Sequence, residues 1–87
     1  MKTIWKFELI PGCALEMPAG AKILSVGVQG NSTFLWALVD PDSPRELRHF
    51  VAVGIGFTVP NYALQFLGTV HHDGGASVFH IFEFWPK

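Results

Sequence analysis

Charge is scarce in this chain. Only 15% of its 87 residues are Asp, Glu, Lys or Arg, against about 25% in an ordinary soluble domain. The six basic residues, Lys2, Lys6, Lys22, Arg45, Arg48 and Lys87, are scattered, and the formal net charge is −1. Sequence-independent affinity for nucleic acid comes from clustered Lys and Arg against phosphate, so general nucleic-acid binding is not expected. A nucleotide-sized anion would need only one or two cations. Cysteine is equally scarce. The single Cys13 rules out an internal disulfide, and an intracellular setting is expected. Ile10-Pro-Gly-Cys13 has the outline of a lipoprotein cleavage site, but Lys6, Glu8 and Pro11 break the apolar region that such a signal needs. Long apolar runs are missing as well, and none approaches the roughly 20 residues of a membrane helix, so no membrane association is expected. Helix signals are nearly absent, because Gly, Pro and Asn recur too often to leave an amphipathic stretch of helical length. The length allows one core and therefore one domain, residues 1–87.

What is abundant is apolar and aromatic surface, at 49% and 14% of residues. A small domain leaves much of its chain at the surface, so this excess points to apolar area buried against another subunit or a ligand. A homo-oligomer is expected. The fold expected is all-β: a single small domain of six to seven short, mostly antiparallel strands forming a sandwich or small barrel, with a C-terminal β-hairpin. Thr3 to Leu9 alternates, with Thr3, Trp5, Phe7 and Leu9 on one face and Lys6 and Glu8 on the other with Ile4. Cys13 to Met17 forms a short strand between turns at Pro11-Gly12 and Pro18-Ala-Gly20. In Lys22 to Gln29 the apolar parity breaks, and Gly27 marks a bulge or a close backbone approach. Thr33 to Val39 is apolar on both faces, as a central or covered strand would be. Asp40-Pro-Asp-Ser-Pro44 is a loop, and Arg45 to Val53 a strand with Arg45, Leu47, His49, Val51 and Val53 on one face. After an irregular stretch around Gly54, Gly56 and Phe57, Tyr62 to His71 and Ala76 to Trp85 form the final hairpin, with Asp73-Gly74 at its tip. A short helix over Tyr62 to Leu67 is the rival reading.

The tip, Val70-His-His-Asp-Gly-Gly-Ala-Ser-Val-Phe-His80, holds three of the four histidines. Imidazole is the commonest metal ligand and pairs with Asp in acid–base chemistry. With a two-residue turn His80 pairs opposite Leu67 and shares a face with His71; with a three-residue turn it pairs opposite Gly68 and shares a face with His72. Either register separates His80 from its companion by roughly 13 Å along the ladder, too far for a shared zinc ion. His71 and His72 are adjacent and point to opposite faces of a strand. The plain reading is therefore a turn flanked by exposed histidines, with no metal and no cofactor expected. His49 has no Ser, Cys or carboxylate at a diagnostic spacing, and Cys13 reads as a small apolar residue. Gly54-Ile-Gly56 lacks the third glycine and the following helix of a dinucleotide loop, and reads as a strand end. Trp5, Trp36, Trp85 and the phenylalanines suit a core more readily than base stacking.

The runs MKTIWKFEL, EMPAGAKILSVGVQG, LWALVDP, LGTV and VFHIFEF together resemble a family of small bacteriophage- and prophage-encoded proteins, a domain of unknown function (DUF7352). The resemblance covers most of the chain in order. It implies a viral origin and expression in the cytoplasm of an infected bacterium, and it brings no catalytic residues. The expected function is a non-enzymatic accessory binding protein acting on a host component. One form is an oligomer that sequesters a nucleotide signal of host immunity; the other binds a host protein through apolar surface or a sheet edge. The candidate ligand-binding residues are Arg45, Arg48, His49, Gly54, Gly56, Phe57, Tyr62, His71 and His72. A virion-associated structural role, or a small hydrolase using His49, His71, His72 or Asp73, are the alternatives.

Overall fold

A computed structural model describes residues 1–86. Seven strands run in chain order: β1 (Thr3–Leu9), β2 (Leu15–Pro18), β3 (Lys22–Gln29), β4 (Ser32–Val39), β5 (Arg45–Gly54), β6 (Ala63–His72) and β7 (Ser77–Trp85). They form two antiparallel sheets, β1-β4-β3 and β2-β5-β7-β6. The all-β expectation holds as a sandwich and not as a closed barrel. Tyr62 to Leu67 makes no helix; β6 takes that stretch as strand.

Strand parity decides which side chains meet between the sheets. In β4, Leu35, Ala37 and Val39 are buried, and residues opposite one another across a ladder share a face. Leu35 lies opposite Phe7, and Ala37 opposite Trp5, so in each pair an aromatic ring packs beside an aliphatic side chain of the core. Phe34, Trp36 and Leu38 point outward, which explains why this strand reads as apolar on both faces. Part of that outer face is covered by a long side chain: the Lys6 ammonium lies 4.6 Å from the Phe34 ring centroid and donates to Gln29 Oε1 at 2.9 Å. On the facing sheet, Met17, Val70 and Ile81 complete the core.

Three local features differ from the sequence reading. The β2 strand starts at Leu15, because Cys13 is still in the turn closed by its N–H to the Ile10 carbonyl at 3.0 Å. The bulge in β3 falls at Leu24, between Ile23 and Ser25, while Gly27 is the site of close approach: a Cβ there would lie 3.1 Å from the Trp36 ring. The last hairpin turns around Gly74-Gly75, one residue later than Asp73-Gly74. Gly74 and Gly75 have φ of 65° and 96°, Ala76 N–H donates to the Asp73 carbonyl at 3.2 Å, and His72 pairs with Ser77. Asp73, with φ 53°, begins this left-handed run, so the turn spreads from Asp73 to Ala76 and sets the register of the whole hairpin.

The edge where the two sheets meet depends on one small residue. In β6 a bulge at Leu67 separates Phe66 from Gly68, and a Cβ at Gly68 would stand 2.6 Å from Val26 Cγ2 of β3. Gly68→Ala is expected to destabilise the fold by about 1–3 kcal/mol through this overlap. Urea unfolding at fixed protein concentration measures it, and Val26→Ala in the same chain should recover part of the loss.

Candidate functional site

The four-stranded sheet has two apolar faces, and only one of them is covered by the other sheet. Glu46, Arg48, Phe50 and Ala52 of β5 share the inner side with Phe79, Ile81 and Glu83 of β7. The other side carries Leu47, His49, Val51 and Val53 of β5, Val78, His80, Phe82 and Phe84 of β7, and Leu64, Phe66, Thr69 and His71 of β6. Among the described residues, these positions hold no Asp, Glu, Lys or Arg; the charges of this side stand at its β2 border, with Glu16 opposite Leu47 and Arg45 at the start of β5. The rings contact one another across the strands. Tyr62 stacks on Phe84 with centroids 5.5 Å apart, His49 tilts onto Phe84 at 5.6 Å, and Phe66 meets Phe82 edge-on at 5.5 Å. His80 is 6.4 Å from Phe66, and its Nδ1 shares a hydrogen bond with Thr69 Oγ1 at 2.9 Å. Phe66 is 56% exposed and Leu47 63%. Such a surface is wide for an 87-residue chain and lacks the charge that keeps a sheet face in water.

Three of the sequence-derived candidates, His49, Tyr62 and His71, come together on or against this face. His71 and His72 point to opposite sides as their adjacency requires, opposite Val78 and Ser77 respectively. The separation expected for His80 does not hold. With the turn centred on Gly74-Gly75, His80 lies opposite Thr69, two positions from His71. Diagonal neighbours of this kind are roughly 7–8 Å apart. Among the described residues, no group of three or more His, Cys, Asp or Glu is placed to hold a metal ion.

The inner side explains the arginines. Arg48 makes a bidentate pair with Glu83, with Nε to Oε2 and Nη2 to Oε1 both at 2.7 Å, and its Nη1 donates to the Ala21 carbonyl. Glu83 is 3% exposed. The hydrogen bonds that Arg48 donates to Glu83 raise its pKa above the ordinary value, against the lowering effect of burial and with further help from the charges of Glu83 and Glu46. The guanidinium faces inward with its donors engaged, so the arrangement differs from the anion ligand expected of Arg48. Arg45 spans the Asp40–Pro44 loop, donating to the carbonyls of Pro41 and Ser43 at 3.2 and 3.0 Å, and lies 5.5 Å from the Trp5 ring centroid. Glu83 escaped the sequence reading. Its parity with Phe79 and Ile81 was the available signal, because an acid on an inward parity requires a cationic partner.

A cleft of about 480 Å³ opens at the end of the sandwich, between β5 and the chain from Leu9 to Ala14, with Phe79 and Ile81 in its floor. Its described lining includes His49 and Cys13 but no Asp, Glu, Lys or Arg. Nearby, Thr33 Oγ1 and His72 Nε2 share a hydrogen bond of 2.9 Å that links the two sheets. Gly54, Gly56 and Phe57 form the adjoining turn, in which Phe57 N–H donates to the Gly54 carbonyl at 3.2 Å and Gly56 takes φ 85°. A Cβ at Gly54 would lie 2.9 Å from the Phe57 ring, so Gly54 makes room for that ring and offers no cradle there.

Comparison with known proteins gives one family. The Domain of unknown function (DUF7352) matches residues 1–87. The chain belongs to this family. No curated protein and no solved structure shows a significant match. The membership carries no activity with it, so the site has to be read from its own geometry.

The Arg48–Glu83 pair gives a direct test of this geometry. Glu83→Ala leaves the guanidinium inward-facing and uncompensated, and should cost about 3–5 kcal/mol in urea unfolding. Replacing both residues by methionine should cost clearly less than the single change, since it removes the desolvated charges together.

Proposed function

We propose that the protein is a small non-enzymatic binding protein that works as a homo-oligomer, assembled through the outward face of β5, β7 and β6. The observation that carries this reading is the uninterrupted aromatic and aliphatic character of that face among the described residues. A two-fold interface lays a surface patch on a copy of itself. Any charge near the axis would then meet its own image, and among the described residues the charges of this side, Glu16 and Arg45, lie only at its β2 border. The rings already order one another through Phe84, Phe82 and Phe66, so association loses little side-chain freedom.

The family resemblance supports a bacteriophage or prophage origin, with action on a host component in the bacterial cytoplasm. Of the two forms of that action, sequestration of a nucleotide draws little support from the geometry. Arg48 is committed to Glu83, Arg45 to its own loop, and the cleft lining carries no cation. Tyr62 over Phe84 offers an aromatic platform, and among the described residues the cations that lie over rings do so at Phe34 and Trp5 instead. Binding of a protein partner is the form favoured.

Sedimentation velocity at micromolar concentration tests the assembly. The wild-type chain should sediment as an oligomer, and Phe66→Glu should sediment as a 9.6 kDa monomer with an unchanged circular dichroism spectrum. Phe66 is half exposed in the single chain, so the substitution costs the fold little. A wild-type monomer throughout the concentration range would overturn the reading.

A further inference from the structure

β5 is longer than the strand beside it. β2 accompanies it only from Arg45 to Arg48, whereas β7 pairs with it from His49 to Gly54. Among the described residues, no strand pairs with the other edge of β5 beyond Arg48. Hydrogen-bonded pairs alternate along an antiparallel ladder. Ala19 N–H donates to the Pro44 carbonyl at 2.7 Å, so the residues of even number turn their backbone groups toward β2. Continued along β5, this alternation points the N–H and C=O of Phe50 and Ala52 to the side that β2 has left. The Gly54 carbonyl, next in the row, is taken by Phe57 N–H.

The cleft lies along this edge. Four consecutive residues, His49 to Ala52, line it. Successive strand residues point to opposite faces, so a cavity that touches all four follows the backbone edge. Its opposite wall is the chain from Leu9 to Ala14, which bends away at Pro11-Gly12, where Gly12 has φ 80°. The space is about 480 Å³, within the range of built ligand sites, with apolar Phe79 and Ile81 as its floor.

We propose that this slot takes an extended segment of a partner protein as an added strand on β5. The inference rests on the reading of the chain as a binding protein and specifies the partner's chemistry. A row of backbone donors and acceptors at strand spacing is matched by another extended backbone, and the uncharged walls select apolar side chains at alternate positions. The incoming segment is free of proline where it pairs, because each pairing position donates or accepts through its main chain. Phe50 and Ala52 present their backbone groups within the six-residue stretch His49–Gly54, a span of roughly 20 Å at about 3.3 Å per residue.

The test is selection from a yeast-displayed library of random peptides of about twelve residues, roughly twice the available strand. The proposal expects enriched peptides with alternating apolar positions, and expects them to slow amide hydrogen exchange at Phe50 and Ala52. Ala52→Pro removes the edge N–H and should weaken their binding by about tenfold or more. Ala52→Lys, which places a charge in the apolar slot, serves the same purpose if the proline variant loses its circular dichroism signal. Phe66→Glu should bind the peptides like the wild type, so loss of oligomer and loss of the slot are read separately. The proposal is overturned if no peptide is enriched over a blank support, or if the selected peptides bind both Ala52 variants as well as wild type. It is also overturned if Ala52→Pro abolishes self-association, because the edge would then belong to the oligomer.

Discussion

The bidentate contact between Arg48 and Glu83 is the constraint around which the sandwich is arranged. An 87-residue chain without a disulfide has little core to spare, yet it places a carboxylate at 3% exposure between its sheets. That is tolerable only because both carboxylate oxygens are hydrogen-bonded and a third guanidinium donor reaches the Ala21 carbonyl at the entry to β3. The contact joins β5 to β7 within one sheet and ties both to the start of a strand in the other. Since the inward parity of β5 carries Arg48, its outward parity carries Leu47, His49, Val51 and Val53. The register that buries the ion pair is the register that exposes the aromatic face. A slip of one residue would exchange the two, leaving two charges in water and the outer face buried.

This arrangement also carries two kinds of surface, which share His49, Val51 and Phe84. The outward face of β5, β7 and β6 is broad, apolar and self-compatible, which suits a second copy of the chain. The free edge of β5 is narrow and rich in unpaired backbone groups, which suits an extended segment. Open edges are usually blunted because they invite uncontrolled pairing. Here the Leu9–Ala14 chain stands opposite the edge and restricts entry to a segment that fits the cleft.

Much of this was legible in the sequence. The alternation of Thr3, Trp5, Phe7 and Leu9 placed β1, the two-sided apolar run of Thr33 to Val39 marked β4 as a central or covered strand, of which the first holds, and the proline-rich Asp40–Pro44 marked the loop. The parity of Arg45, Leu47, His49, Val51 and Val53 gave one strand of the outward face, and the shortage of charge raised the expectation of a covered surface. Long-range registration was not legible. The sequence allowed a turn of two or three residues, with His80 opposite Leu67 or Gly68, whereas the turn spans Asp73 to Ala76 and sets His80 opposite Thr69. Glu83 and Arg48 lie 35 residues apart, and neither announces its partner. The cleft arises because β2 is shorter than β5, a mismatch between strands that no local pattern records.

The central claim is that the uncharged face of β5, β7 and β6 meets its own copy. Isotope-filtered nuclear Overhauser measurements on a mixture of labelled and unlabelled protein address it most directly, because they record contacts between copies alone. The account predicts intermolecular contacts among Val51, Phe66, Phe82 and Phe84. Contacts confined to Ile4, Phe34, Trp36 and Leu38 on the outer face of β1-β4-β3, or none between copies, would contradict it.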